Sequence, residues 1–254
     1  MKIIQLLLWA LCWACVLCKE SSRRRSENDE ESISDKLETL LTKTSSMQKH
    51  LKGLERKIDE LVKRSNAQLA HMAELQKANW QTIQRRQDGT VNFYRNWTEY
   101  KTGFGNHSDS EFFVGLEKLH ELTSGKPHEL LIILKDWEND TRYAHYSHFE
   151  IAGEDANYAL RMLGEYSGNA GDGMQYYLGQ KFSTFDNDND EDANTNCARL
   201  YQSAWWFKNC ALSDLNGPYQ EEDYATNDGI TWSEWTGMNY SLKFAEMKIK
   251  PKVF

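Results

Sequence analysis

Proline and cysteine are scarce in this chain of 254 residues, which contains three prolines, five cysteines and fifteen glycines. So little proline and glycine excludes a collagen-like or proline-rich stalk, and five cysteines are too few for a miniature scaffold held by many disulfides. Basic charge is not in excess either, because 30 Lys and Arg stand against 38 Asp and Glu, a net charge of −8. This balance argues against a protein that binds the phosphate backbone of nucleic acids. Aromatic residues, by contrast, make up 12% of the chain and indicate a folded core.

The first eighteen residues have the pattern of a secretory signal peptide. Lys2 supplies a positive charge, the apolar run 3–17 follows, and the charged stretch 19–31 comes after it. The run is shorter than the roughly 20 residues that span a membrane. We therefore expect cleavage near Cys18 and a secreted, extracellular protein without a membrane span, with an uncleaved anchor as the alternative. Cleavage removes three of the five cysteines.

Apolar residues recur at alternating spacings of three and four between residues 32 and 79. The d positions of this heptad register are Ile33, Leu40, Met47, Leu54, Leu61, Gln68 and Leu75, and the a positions are Leu37, Thr44, Leu51, Ile58, Ser65, Met72 and Asn79. A stripe this narrow is not buried by a lone helix, so it predicts self-association in a coiled coil, as a dimer or a trimer. The alternative is a helix that lies against the globular part of the same chain.

These patterns predict four segments: a signal peptide (1–18), a charged linker (19–31), a coiled coil (32–79) and a globular domain (80–254). In the globular part, short apolar segments alternate with clusters of Gly, Asn and Asp, which is typical of an α+β fold with many loops. Strands are predicted at 130–134, 143–151 and 243–250, a short helix or extended segment at 155–163, and a long irregular region at 164–196. Trp205 and Trp206 belong either to a loop-held site or to the core.

Five carboxylates are packed into the seven residues 186–192. Their mutual repulsion calls for a cation, and Ca²⁺ is suitable because it takes six to eight oxygen ligands. The stretch is not an EF-hand, since the sixth position counted from Asp186 is Glu191 and the twelfth is Cys197. A solvated acidic loop is the alternative. Cys197 and Cys210, which remain after signal cleavage, are expected to form one disulfide that stabilises the fold by about 3 kcal/mol.

Two further patterns concern modification and catalysis. Four Asn-x-Ser/Thr sequons, expected to be glycosylated in part, begin at Asn96, Asn106, Asn139 and Asn239. Any one of them could instead be buried or unused. The chain contains no Gly-x-Ser-x-Gly, His-Glu-x-x-His or glycine-rich phosphate loop, so no enzymatic activity is expected.

A resemblance to a known family covers residues 80–251. It is carried by residues 82–89, 93–97, 112–120, 181–184, 186–190, 204–206, 209–210, 215–217 and 246–251. In this order they resemble the fibrinogen C-terminal domain family, which includes ficolins, tachylectins and angiopoietins. The resemblance implies an α+β globe with a central twisted sheet, a calcium loop and a neighbouring ligand pocket. The opening strands usual in the family, with their own disulfide, are missing before Thr82.

The same resemblance implies particular site residues. Calcium would be bound by the side chains of Asp188 and Asp190 and by backbone carbonyls near Asp192 and Asn194. The pocket would be formed by Tyr201, Asn209, Cys210, Tyr224 and Ala225, and the 209–210 peptide bond would be cis. The disulfide of the family would be Cys197–Cys210. Ala211 and Met238 stand where many members carry His and Tyr, so two polar contacts to an acetylated sugar are lost.

Together these features predict a secreted, oligomeric recognition protein of the innate-immune lectin type. Its calcium-stabilised head would bind glycans or acetylated groups on microbial or cell surfaces. The alternative is an angiopoietin-like ligand or extracellular-matrix factor that binds a cell-surface receptor protein, which the losses at Ala211 and Met238 favour.

Overall fold

The computed structural model describes residues 2–77, 79–108, 110–220 and 229–252, and the chain separates into two compact units, Met1–Ala67 and Gln68–Phe254. The first unit is made of one helix, α1 (Lys2–Lys77), which continues into the start of the second. The predicted coiled-coil segment lies almost entirely within α1. The large apolar side chains from Leu37 to Leu69 are solvent-exposed in the single chain; Leu40, for example, is 60% exposed.

The second unit, called the head below, is an α+β domain, as predicted. Its helices are α2 (Trp97–Thr102), α3 (Leu116–Ser124), α4 (Cys197–Leu200) and α5 (Ser233–Thr236), with 3₁₀ turns at Glu154–Ala156 and Gln175–Tyr177. Its strands are β1 (Gln81–Arg86), β2 (Phe104–Gly105), β3 (Phe112–Phe113), β4 (His128–Lys135), β5 (Thr141–Ile151), β6 (Leu160–Leu163), β7 (Tyr166–Gly168), β8 (Ser213–Asp214), β9 (Thr231–Trp232) and β10 (Phe244–Pro251).

The main sheet is antiparallel and has the order β2-β3-β1-β10-β4-β5-β6, with β7 also paired to β5. The three predicted strands lie in β4, β5 and β10, at its centre. The segment predicted at 155–163 becomes a 3₁₀ turn followed by β6. The region 164–196 is irregular apart from β7 and one 3₁₀ turn.

Side chains alternate along β4 because successive residues of a strand point to opposite faces. Leu130, Ile132 and Leu134 are fully buried on the face that carries the core. On the opposite face, Leu131 and Tyr143 are almost fully buried in a second, smaller cluster with Met72, Trp80 and Ile133. Both faces at the centre of the sheet are therefore covered within the head.

The core is dominated by aromatic side chains, among them Trp205 and Trp206, which are at most 1% exposed. The indole N–H of Trp206 donates to the carbonyl of Tyr158 at 2.9 Å. The structure therefore supports the interpretation that Trp205 and Trp206 belong to the core.

Candidate site around the acidic loop and the disulfide

The acidic loop is fixed to the head at its amino end. Ser183 and Trp205 exchange two backbone hydrogen bonds of 2.9 and 3.2 Å. The Ser183 hydroxyl then accepts the backbone N–H of Asn189 at 2.9 Å, and the Asn189 amide donates to the carbonyl of Phe182 at 2.9 Å. The loop is thus held by polar contacts to a buried strand-like segment.

Three aspartates of the loop follow one local pattern. Asp188, Asp190 and Asp192 each accept the backbone N–H two residues ahead, at 3.3, 2.9 and 2.9 Å. Such turns are favoured by Asp because its short carboxylate reaches the backbone. The second oxygen of Asp190 accepts the backbone N–H of Cys197 at 2.8 Å. Asp190 therefore joins the acidic loop to the first residue of α4.

The charges in this loop are poorly compensated. Burial raises the pKa of the Asp190 carboxyl above its usual value, and the neighbouring Asp188 carboxylate raises it further. In the described part of the chain, no three His, Cys, Asp or Glu side chains come together as a metal cage. A calcium ion does not require one, because it also accepts backbone carbonyls and water as ligands. Two carboxylates that repel each other at the end of a fixed loop are a donor set that fits this cation.

The predicted disulfide forms between Cys197 and Cys210, with Cα atoms 5.6 Å apart, and the Asn209–Cys210 peptide bond is cis. The backbone N–H of Glu191 donates to the carbonyl of Lys208 at 2.9 Å, so this segment lies directly against the acidic loop. The Tyr176 hydroxyl donates to the carbonyl of Asn209 at 3.2 Å. Loop, disulfide and cis bond are therefore one connected unit.

The pocket residues predicted from the sequence are only partly described. Tyr201 is half-buried and stacks on Phe207, with ring centroids 5.8 Å apart, and Asn209 is exposed beside the half-buried Cys210. Tyr224 and Ala225 lie outside the described residues. Their place in the pocket stays a prediction.

Lys208, Tyr176 and Tyr177 belong to this site but were not predicted from the sequence. The Nζ atom of Lys208 lies 5.2 Å from the ring centroid of Tyr176, a distance at which a cation is attracted to an aromatic face. The adjacent Tyr177 is buried, and its hydroxyl accepts the backbone N–H groups of Leu212 and Ser213 at 2.6 and 2.7 Å. Two consecutive tyrosines in a region rich in Gly, Asn and Asp are the signal that could have revealed this support.

A buried ion pair lies at the end of β1. Arg86 and Glu111 are at most 1% exposed, and the Arg86 Nε atom is 3.5 Å from a Glu111 oxygen. Arg86 donates to the carbonyls of Leu215 and Gly217 at 3.2 and 2.6 Å, and its guanidinium carbon lies 3.9 Å from the ring centroid of Phe93. Burial lowers the pKa of Arg86, and Glu111 opposes this shift.

Glu111 and Asp214 complete this buried polar centre from other segments. Glu111 accepts the backbone N–H groups of Gln87 and Val91 at 2.8 and 3.1 Å, which orders the loop after β1. One Asp214 oxygen accepts the Ser203 hydroxyl at 2.8 Å. Burial raises the pKa of the Asp214 carboxyl to about 7. These contacts attach β1 to the segment that follows the disulfide.

The four sequons differ in exposure. Asn106, Asn139 and Asn239 are exposed, and the Asn106 side chain accepts the backbone N–H and the hydroxyl of Ser108. Asn96 is half-buried and caps α2, because its side chain accepts the N–H of Glu99 while the Glu99 carboxylate accepts the N–H of Asn96. Glycosylation at all four stays a prediction.

Comparison with known proteins agrees with this architecture. Residues 57–252 match the family described as the fibrinogen beta and gamma chains, C-terminal globular domain. Fibrinogen C domain-containing protein 1 of Mus musculus is 45% identical over 178 residues, which are 68% of this chain and 38% of that protein. Tenascin of Gallus gallus is 46% identical over 175 residues, which are 69% of this chain and 9% of that protein. The chain thus spans well under half of the length of these curated relatives.

Solved structures show the same likeness. The fibrinogen-like globe domain of human ANGPTL6 superposes with a TM-score of 0.67 at 42% identity, covering 69% of this chain and 79% of that one. Proteins of this family are non-enzymatic recognition and matrix proteins, in agreement with the expectation that this chain is not an enzyme. Among the helices in the described ranges, none has an apolar stretch long enough to cross a membrane. The chain is therefore a member of the fibrinogen C-terminal globular domain family.

Proposed function

We propose that this chain is a secreted, oligomeric recognition protein whose calcium-bound head binds glycans or acetylated groups on microbial or cell surfaces. The observation that carries the proposal is the contact of Asp190 with the backbone N–H of Cys197 at 2.8 Å. This hydrogen bond connects the acidic loop to Cys197 and thus to the disulfide. Cys210, the other half of the disulfide, is adjacent to the exposed Asn209. The shape of the pocket would therefore depend on the cation that neutralises the negative charge of the acidic loop.

Calcium would be held by the Asp188 and Asp190 carboxylates, with backbone carbonyls near Asp192 and Asn194. It would supply positive charge and fix the loop, with no redox chemistry. Asp190 would then order α4 through Cys197, while the Glu191 to Lys208 backbone bond positions the segment that carries the pocket.

Oligomerisation would convert weak individual contacts into firm attachment. Linked sites gain avidity of 10²–10⁴ without any new contact, provided that their spacing allows simultaneous binding. The exposed apolar stripe of α1 supports self-association. A secreted recognition protein with one weakly binding pocket per head would depend on this gain.

A calcium titration of thermal stability tests the cation site. Ca²⁺ should raise the unfolding temperature of the secreted protein, because a ligand that binds the folded state alone stabilises it. Asp190→Asn should abolish the shift. Glu191→Gln is the matched control, since it removes the same charge from an exposed neighbour in the loop and should keep the shift. An unchanged shift in Asp190→Asn would contradict the assignment.

Binding to immobilised acetylated sugars tests the ligand class. Retention that requires Ca²⁺, is lost with chelator and is competed by free acetylated sugar would support the proposal. If a sample whose unfolding temperature rises with Ca²⁺ is not retained on these sugars, the proposed binding of glycans is contradicted and the proposed calcium site is not.

Protein recognition is the second candidate, and the apolar character of the site favours it. Leu200 in α4 is 57% exposed and lies between the two cysteines of the Cys197–Cys210 bridge along the chain, and Leu212 is 36% exposed and lies two residues after Cys210. Ala211 offers no polar group to a sugar. Binding to cells that survives enzymatic removal of their glycans would decide for a receptor protein.

A further inference from the structure

Three of the four sequons have an aromatic residue two positions before their asparagine. These pairs are Tyr94 with Asn96, Phe104 with Asn106, and Trp137 with Asn139. In the fourth sequon, Gly237 stands two positions before Asn239. A ring contacts a sugar on the asparagine only if both side chains point to the same side and the ring is not buried in the core.

Two of the three pairs are poorly suited to such a contact. Phe104 packs against the core, with its ring centroid 4.9 Å from that of Phe93. Tyr94 lies against Phe185, with ring centroids 4.8 Å apart, and its partner Asn96 is half-buried as the cap of α2. The third pair remains, and its asparagine is exposed.

Asn139 lies in the tight turn that joins β4 to β5. Its backbone N–H donates to the carbonyl of Asp136 at 3.3 Å, and the backbone N–H of Asp136 donates to the carbonyl of Asp140 at 3.1 Å. The φ angle of Asn139 is 68°, in the left-handed region, which asparagine tolerates better than most residues. The backbone of the turn therefore directs the Asn139 side chain.

A single ammonium group shows that the Asn139 amide and the Trp137 ring lie on the same side of this turn. The Lys243 Nζ atom donates to the Asn139 Oδ1 atom at 3.2 Å and lies 5.5 Å from the centroid of the Trp137 ring. Both groups thus converge on one flexible side chain. A sugar bonded to the Nδ2 atom of the same amide starts beside the ring.

The Trp137 ring is held in one orientation by its other neighbours. Its indole N–H donates to the carbonyl of Ser241 at 3.0 Å, and its ring packs at 69° against that of Tyr219, with centroids 6.3 Å apart. The backbone N–H of Trp137 donates to the hydroxyl of Tyr240 at 2.9 Å. Trp137 is nevertheless only half-buried. It therefore offers a fixed aromatic surface, whose electron-rich face attracts the C–H groups of a sugar.

We propose that Asn139 carries an N-linked glycan whose first N-acetylglucosamine packs on the Trp137 ring and thereby stabilises the head. Transfer of the glycan forms a bond between C1 of that sugar and Nδ2 of Asn139, breaks the bond between C1 and a lipid pyrophosphate donor, and releases one amide proton. Oδ1 keeps its lone pairs, so the contact with Lys243 is compatible with the modification. The proposal depends on secretion, but not on the calcium site or on the ligand of the head.

Mass spectrometry of the full chain, secreted by cultured animal cells, tests the modification. The tryptic peptide 136–142 contains the Asn139 sequon and no other. This peptide should carry a glycan, and an unmodified Asn139 in the secreted protein would overturn the proposal.

Thermal unfolding of the same protein tests the packing. Thr141→Val removes the sequon but keeps Asn139 and the shape of the threonine side chain, and it should lower the unfolding midpoint by about 2–4 °C. In a Trp137→Leu background, the same substitution should cause no further loss. Asn239→Gln is the matched control, because it removes an exposed sequon without a preceding ring, and it should leave the midpoint unchanged.

Two results would overturn the contact between sugar and ring: an unchanged midpoint in Thr141→Val, or an equal loss in the presence and absence of Trp137. Enzymatic trimming of the glycans to their first sugar provides a second measurement. The trimmed protein should keep the midpoint of the untrimmed one, because the contact is made by the first sugar. A loss on trimming as large as that in Thr141→Val would overturn this assignment.

Discussion

Replacement of Arg86 by Met should be among the most destabilising single changes in the head. Arg86 and its partner Glu111 are at most 1% exposed. The replacement leaves the Glu111 carboxylate buried without its cation and deprives the carbonyl of Gly217 of a 2.6 Å hydrogen bond. Removal of one partner of a buried ion pair typically costs about 3–5 kcal/mol.

The neighbouring residue provides the control. Arg85 also lies in β1 and pairs with Glu246 at 2.8 Å, but its side chain is 23% exposed. Glu246 keeps Lys248 at 2.9 Å when Arg85 is replaced. Arg85→Met should therefore cost less than Arg86→Met, because Glu246, although its side chain is only 7% exposed, still has a cationic partner. The same substitution at two adjacent positions should thus lower the free energy of unfolding by clearly different amounts.

Thermal unfolding monitored by the fluorescence of the buried tryptophans reports on the head. For a domain of this size, about 2–4 °C is lost for each kcal/mol, so Arg86→Met should lower the midpoint by about 6–20 °C. Arg86→Lys should fall between the wild type and Arg86→Met, since it keeps the charge but not the planar fork. Equal losses for the Arg85 and Arg86 variants would refute the reasoning from burial.

Three further changes test other parts of the head. Burial raises the pKa of Asp214 to about 7 in the folded state, whereas the carboxyl has a pKa of about 4 in the unfolded chain. The free energy of unfolding should therefore fall by up to about 4 kcal/mol as the pH rises from about 4 to about 7. Asp214→Asn should remove this pH dependence in denaturant titrations at several pH values. Replacement of Cys197 and Cys210 together by Ala opens a loop of 13 residues and should cost about 3 kcal/mol in urea unfolding, with no effect of reductant on the variant. Asn96→Ala should lose about 1 kcal/mol through the missing cap of α2, whereas Asn96→Asp should retain most of it by the same measurement.

Local features of the head could be predicted from the sequence because they depend on neighbours in the chain. The apolar run at 130–134 lies within β4, and the two cysteines of the globular part form the disulfide. The alternation at 243–250 matches β10 to within one residue at each end. In each case the structural feature follows from the pattern of apolar residues along the chain or from the number of cysteines, and both can be read directly from the sequence.

The buried polar centre could not be predicted in this way. Arg86, Glu111 and Asp214 are 25 and 103 residues apart along the chain, and a charged residue in a strand is usually exposed. The pairing of β1 with β3 brings Glu111 close to Arg86. Asp214 lies in the separate β8-β9 sheet, and the residues after it reach Arg86 through the carbonyls of Leu215 and Gly217. Likewise, Tyr176 could be assigned to the candidate site only once the fold had placed its hydroxyl against the carbonyl of Asn209.

The polar centre and the candidate pocket are parts of one connected structure. Arg86 fixes the carbonyls of Leu215 and Gly217, while the Tyr177 hydroxyl holds the backbone of Leu212 and Ser213 from the other side. The segment 212–217 is thereby held at both ends, and it begins two residues after the disulfide. A segment fixed by buried hydrogen bonds has one register, because any shift leaves buried polar groups without partners. The cysteine end of the pocket is thus positioned by residues that never reach the surface, which explains how an exposed and irregular site can keep a defined shape.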